Sequence, residues 1–353
     1  MSALSEVLSG QSRIGLDTEF MRESTYFPQL CLVQIATGQK IYCADPLGGG
    51  DLEALWQALR QPSWVVHSGR QDIEVLFLGG GLMPRRIFDT QVAASLLGHM
   101  PQLGYAALVS ELFGVELAKS HTRANWSRRP LAEEYLSYAA EDVEYLLPAF
   151  ELLVERLSME GRLGWAEEDS DDLLDQTLYV ADPAAAIERV KGARYLSGRA
   201  RRAAQMLAAW REQEALRLDR PRQWIFKDSV LLDLAVAGPQ GTAALARTSE
   251  LPPKMVRRAG DDLLAILAEA RSDAADSPDS YAAPARLDDT EKKRLKPMQA
   301  LIAAVAKDLG VMPEIIASRR ELTEALHGAR NLRVLRGWRR ELVGEKLLEV
   351  LAK

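Results

Sequence analysis

Ile14-Gly15-Leu16-Asp17-Thr18-Glu19-Phe20 is the stretch on which the fold turns. Ile14 and Leu16 give it the apolar content of a buried strand. Side chains alternate along a strand, so Asp17 and Glu19 fall on one face. Two acids side by side there repel each other unless a cation sits between them. Two further segments carry acids. In His67-Ser68-Gly69-Arg70-Gln71-Asp72, the aspartate opens a helical stretch predicted over 72–78, after the apolar run Trp64-Val65-Val66. Tyr138-Ala139-Ala140-Glu141-Asp142 lies in a helix predicted over 133–159, with Leu136, Ala139, Val143, Leu146 and Leu147 as its apolar stripe. Tyr138 and Asp142 are one turn apart on one face. Taken singly, each segment reads blandly: a solvated strand end, a first-turn acid, a surface hydrogen bond. Together, four carboxylates and a tyrosine from distant segments suit two hard divalent cations, and such a pair serves phosphodiester hydrolysis well.

Working outward, the pattern predicts strands at 12–17, 30–36, 40–44 and 64–67. Helices are predicted at 52–60, 72–78, 89–97, 105–112 and 133–159. This is an α/β domain over 1–165. Residues 166–198 read as an acidic connecting segment. Beyond about Asp182 strand signals vanish, and Ala, Leu and Arg dominate a helical region over 199–276. Residues 272–286, rich in Ser, Asp, Ala and Pro, read as a loop, and 287–353 as a second helical set with helices at 295–309, 313–316 and 319–326.

A chain of 353 residues is long enough for two or three domains. No apolar run approaches the ~20 residues of a membrane span, and no signal peptide opens the sequence. Cys31 and Cys43 read as buried free thiols in a reducing cytoplasm, and no Cys/His cluster points to zinc. The net charge of −6 is unevenly spread. Residues 167–182 carry seven acids and no base. Residues 189–258 carry fifteen Lys or Arg against six acids, a net of +9, which is an electrostatic footprint for phosphates.

In their order and context these motifs resemble the DEDDy subclass of 3′-5′ exonucleases, and within it the ribonuclease D family. Asp17-Thr18-Glu19-Phe20, running on through Thr25-Tyr26-Phe27-Pro28-Gln29-Leu30-Cys31-Leu32-Val33-Gln34-Ile35, is similar to the first exonuclease motif. His67 to Leu76 is similar to the second and Tyr138 to Asp142 to the third. Phe88-Asp89-Thr90-Gln91 and 119–131 also resemble ribonuclease D. Residues 199–274 resemble a helicase-and-ribonuclease-D C-terminal (HRDC) bundle, through 207–215, Asp219-Arg220-Pro221-Arg222-Gln223-Trp224-Ile225-Phe226 and 227–235. The second helical set reads as a divergent copy.

The resemblance implies a ribonuclease H-like mixed sheet, with three antiparallel strands and then parallel ones, followed by one or two HRDC bundles. It implies two divalent ions, Mg²⁺ or Mn²⁺. Asp17, Glu19 and Asp142 would hold the ion that activates water. Asp17 would bridge to a second ion, held directly or through water by Asp72. Tyr138 would orient the water or the scissile phosphate. The implied substrate is RNA with a single-stranded 3′ tail, in particular tRNA precursors, shortened to nucleoside 5′-monophosphates by a monomeric cytoplasmic enzyme.

Thr18, Phe20, His67, Arg123 and Arg128 are candidates for substrate binding, and His67 reads alternatively as a hydrogen-bonded structural histidine. Arg123 and Arg128 lie in a basic loop with Lys119, His121, Trp126 and Arg129, which either grips phosphates or locks onto the acidic domain. Asp89 reads as a helix cap or as a residue that supports the site without holding a metal. Trp210, Trp224, Ile225 and Phe226 read as core. Two other functions compete: a DEDDy exonuclease acting on DNA, and a non-catalytic RNA-binding module. Five intact acid and tyrosine positions argue against the second.

Overall fold

β1 (Arg13–Met21) is the middle strand of a five-stranded sheet ordered β3-β2-β1-β4-β5. The computed structural model describes residues 2–117, 124–248, 250–273 and 287–352. β2 (Gln29–Ala36) runs antiparallel to β1, and β3 (Ile41–Ala44) antiparallel to β2. β4 (Ser63–Val66) lies parallel to β1 on its other side, and the three-residue β5 (Ile87–Asp89) parallel to β4. This is the mixed sheet expected.

The alternation of β1 sets the layers. Ile14 and Leu16 point into a core with Val33, Ile35, Trp64 and Val66. That core is covered by α1 (Ser2–Ser9), α2 (Leu52–Leu59) and α3 (Arg70–Gly80) through Leu8, Leu55, Leu59, Ile73 and Leu76. The opposite face meets α6 (Glu133–Glu144) and α7 (Leu146–Met159), through Ala139 against Leu32 and through Val143 and Leu146 against Ala36 and Val65. Gly15 permits this approach: a Cβ there would stand 3.0 Å from the Leu146 Cβ. α4 (Thr90–Leu96) and α5 (Tyr105–Phe113) share a core with α7, through Ala93, Leu96 and Leu108 with Ala149 and Leu153.

Besides α1, which the sequence pattern does not predict, three elements differ from expectation. The helix predicted over 133–159 is two helices. Pro148 has no N–H and its ring conflicts with the carbonyl of residue 144, so the helix breaks at Tyr145, whose N–H is taken by the Tyr105 hydroxyl at 2.9 Å. β5 was not expected as a strand. The acidic segment after residue 165 does not simply connect: α8 (Leu163–Asp171) is helical and packed. Its buried Ser170 hydroxyl accepts the Asp89 N–H at 3.1 Å, and Ala166 joins a core with Phe88, Ala149 and Leu153.

The described residues divide into two units, one of 2–21, 29–179 and 287–352, the other of 22–28 and 180–273. The first therefore includes the last helical bundle, built on α14 (Asp289–Leu309), α15 (Pro313–Ile316) and α16 (Arg319–Leu326). Trp338 of that bundle stacks on Trp165 of α8 with ring centroids 4.4 Å apart. The Arg339 guanidinium, almost wholly buried, chelates Asp169 at 2.5 and 2.7 Å and donates to the Ile315 carbonyl. Glu168 accepts the Trp338 N–H and Asp172 pairs with Arg336, so three acids of the negative run hold the C-terminal bundle.

The second unit centres on α9 (Gly198–Leu218), packed by α10 (Arg222–Ile225), α11 (Asp228–Ala237), α12 (Thr242–Arg247) and α13 (Pro253–Asp273). Residues 22–28, which join β1 to β2, belong to it. Tyr26 lies in its core, its hydroxyl bonded to the buried Glu212 and to Arg222, and Asp219 accepts the Tyr26 and Phe27 N–H groups at 2.9 and 3.0 Å. Trp210 packs on Phe226, and Ile225 and Phe226 are buried as expected. Trp224 is not, being 60% exposed.

Candidate active site

Asp17 and Glu19 leave β1 on the face that carries Gly15, beneath α6. Asp142 comes down from α6, with Tyr138 one turn before it, and the Tyr138 hydroxyl donates to the Asp142 carboxylate. Asp72 arrives from the other layer, in the first turn of α3, and is buried. Its Oδ1 accepts two hydrogen bonds from Thr18, from N at 3.0 Å and from Oγ1 at 2.6 Å. Thr18 points away from Asp17 and Glu19 along the pleat, so this one residue ties the acid of α3 to the strand that carries the other two.

The electrostatics record the convergence. Burial, then the charges of Asp142 and Asp72, push the Glu19 carboxyl up to about 8. Burial lifts Asp142 to about 7 against the pull of the Tyr138 hydrogen bond, with Glu141 and Asp72 adding repulsion. Asp72 is raised by burial to about 6, and the two Thr18 bonds hold it from going higher. Asp17 stands well above the usual carboxylate range, through burial and then Asp72, Asp142 and Glu19. The Tyr138 phenol is also raised, by burial first and then by Asp142, and stays protonated at neutral pH.

The donor set fits hard cations, being all oxygen. Among the described residues no three His, Cys, Asp or Glu groups already stand as a closed metal-binding group. Asp72 is turned to Thr18 and Asp142 is engaged by Tyr138, and like charges hold apart. A second sign of an incomplete polar set is Gln34. It pairs directly with Asp17 across β1 and β2, on the same face, and its wholly buried amide has no hydrogen-bond partner at either atom.

A supporting network fixes the entry to α3. Asp89 caps α4 through the Gln91 N–H and reaches back to accept the N–H groups of Ser68 and Gly69 at 3.0 and 2.9 Å. Ser68 has φ of 57°, and a Cβ on Gly69 would stand 2.4 Å from Val66 Cγ2, so this turn requires its glycine. Asp89 is a cap, as its sequence context indicates, and it also positions the turn before Asp72.

The candidate binding residues fare differently. Phe20 is partly exposed at a β-bulge beside Glu19. Thr18 is buried with its hydroxyl spent on Asp72. Both ring nitrogens of His67 are engaged, Nε2 donating to the Leu103 carbonyl at 2.8 Å and Nδ1 lying 2.9 Å from the Thr90 hydroxyl. His67 is thus held as a structural histidine. Arg128 is exposed; Lys119, His121 and Arg123 lie outside the described residues. Arg129 settles its part of the loop: it clasps Asp45 and donates to the carbonyls of Cys31, Trp126 and Arg128, with Trp126 buried. Sequence reading missed Gln34, placed beside Asp17 by strand register, and Tyr105, whose hydroxyl takes the Tyr145 N–H; both follow from tertiary packing.

A mixed sheet with acids converging from β1, α3 and α6 defines an exonuclease, and residues 1–158 match the 3′-5′ exonuclease family. Residues 200–267 match the HRDC domain and residues 290–347 the C-terminal HRDC domain of ribonuclease D. The chain belongs to the ribonuclease D family. It is 37% identical to the ribonuclease D of Gluconacetobacter diazotrophicus, over 99% of this chain and 90% of that one. It is similar to the crystal structure of Escherichia coli RNase D, an exoribonuclease involved in structured RNA processing. The TM-score is 0.88 and the identity 31%, over 99% of this chain and 96% of that one. The catalytic core of RRP6 from Trypanosoma brucei is similar at a TM-score of 0.59 and 26% identity, over 77% of each chain. The protein is a 3′-5′ exoribonuclease, and its class depends on divalent metal.

Proposed function

We propose that Asp17, Glu19, Asp72 and Asp142 hold two divalent cations, Mg²⁺ or Mn²⁺, and that Tyr138 orients the attacking water or the scissile phosphate. The observation that carries this reading is the convergence of four mutually repelling carboxylates from three segments, each raised above its ordinary value. Bound divalent ions would supply a lowered pKa for the attacking water and neutralise charge on the leaving oxygen. The chain's own residues do the positioning. Thr18 fixes the Asp72 carboxylate by two donors. Tyr138 keeps its proton and so acts as a positioning hydroxyl, not as a general base. Asp89 holds the turn from which α3 begins. Each cycle releases one nucleoside 5′-monophosphate.

The substrate in this reading is RNA with a single-stranded 3′ tail, tRNA precursors in particular, acted on by a monomer in the cytoplasm. The basic excess over 189–258 supports an RNA partner. Among the described residues no helix is long and apolar enough to cross a membrane. The test is a gel time course on a 3′-extended tRNA precursor and a matched DNA tail, with Mg²⁺, Mn²⁺ or EDTA. Metal-dependent shortening of the RNA alone is expected. Equal shortening of both would assign a general exonuclease, because RNA choice requires a 2′-hydroxyl contact.

A further inference from the structure

Two exposed aromatic rings in the second unit have no role in its core. Tyr195 is 67% exposed and Trp224 60%. Each has an arginine beside it. The Arg194 guanidinium lies 4.7 Å from the Tyr195 ring centroid and donates to its hydroxyl at 2.6 Å, and Arg220 lies 5.8 Å from the Trp224 ring. Tyr195 also borders an open cleft of about 560 Å³ whose lining includes Lys191, Arg194 and Arg201, with Glu188 as its acid. Leaving large rings in water forgoes the burial that usually stabilises them. Ile225 ends α10 and turns inward, as does Phe226 just beyond it, and Trp224 is turned out by the same short helix.

A ring held by a guanidinium, among further cations, is the arrangement that binds single-stranded nucleic acid: bases stack on the ring while the cations take the phosphates. We propose that Tyr195 and Trp224 are stacking platforms for unpaired nucleotides of the RNA upstream of the 3′ end being removed. Arg194, Lys191, Arg201 and Arg220 supply the phosphate contacts. This rests on the exoribonuclease reading for its substrate. The Tyr195 site lies before residue 200, outside the segment that matches the HRDC domain.

Stacking is indifferent to sequence, so the contribution depends on RNA length. The experiment compares the full chain with Tyr195→Ala, Trp224→Ala, Tyr195→Phe and Trp224→Phe, on a single-stranded 12-nucleotide RNA and on a dinucleotide. Binding of the labelled 12-mer is measured in EDTA by anisotropy, and hydrolysis with divalent metal. Each alanine variant is expected to weaken 12-mer binding and raise its KM by ~5-fold or more, with kcat unchanged. Dinucleotide hydrolysis stays as it was, and the phenylalanine variants behave like the parent chain. Unchanged 12-mer affinity in the alanine variants would overturn the proposal. So would equal losses on 12-mer and dinucleotide, which would mark a structural effect. The EDTA arm reads RNA binding without hydrolysis, so an inactive parent chain would refute the catalytic reading while leaving the stacking measurement intact.

Discussion

Replacing Thr18 by valine removes one hydroxyl and changes little in volume, and its consequences follow from the 2.6 Å bond to Asp72. A hydrogen bond to a charged group is worth about 1.5–3 kcal/mol. One pKa unit is about 1.4 kcal/mol, so the Asp72 carboxyl, now at about 6, would rise by roughly one to two units. Asp72 already binds its proton more tightly folded than unfolded. Its contribution to metal-free stability is therefore full below about pH 4 and declines as pH rises toward 6. In the variant that decline continues to about pH 7 or 8. The gap between the two proteins should therefore open between pH 6 and 8 and then level. For a unit of this size 1 kcal/mol shifts Tm by about 2–4 °C, so the variant should melt about 3–12 °C lower at pH 8 in EDTA. Calorimetry from pH 5 to 8.5 is the assay. A Tm difference that is absent, or the same at every pH, would refute the role given to Thr18.

Two further outcomes are expected. Because Glu19 and Asp142 are raised to about 8 and 7, metal-free stability falls as pH rises through that range. Added Mg²⁺ or Mn²⁺ should raise Tm more at pH 8 than at pH 5.5, and an equal increment at both would contradict the site. Arg339→Ala leaves the half-buried Asp169 with the Trp338 indole N–H but no charged partner, and breaking a buried pair costs about 3–5 kcal/mol. Thermal melting should fall by at least about 6 °C, and a change under about 2 °C would show that the pair does not brace the C-terminal bundle.

The parts of this chain that were legible in its sequence are those governed by local period. The alternation in β1 set Asp17 and Glu19 on one face, and the four-residue spacing set Tyr138 beside Asp142. What escaped was decided across the fold. β5 is three residues long and too short to show a period. In α8 the acids masked the buried face of Ala166 and Ser170, and their partners Trp338 and Arg339 lie about 170 residues away. Thr18 reads as open to a substrate, and His67 as either a substrate contact or a hydrogen-bonded structural histidine, because nothing local reveals that Asp72, Leu103 and Thr90 take their polar atoms. Trp224 was read as core by composition, and only the geometry of a four-residue helix turned it outward.

The most direct test of the central claim sets the parent chain beside Asp17→Asn on one RNA, with divalent metal and with EDTA. Product chromatography reads hydrolysis, and anisotropy reads binding. The account predicts stepwise release of nucleoside 5′-monophosphates by the parent with metal only. It predicts none by Asp17→Asn, whose RNA affinity stays within a few fold. Hydrolysis retained by Asp17→Asn, or by the parent in EDTA, would contradict the four-carboxylate site.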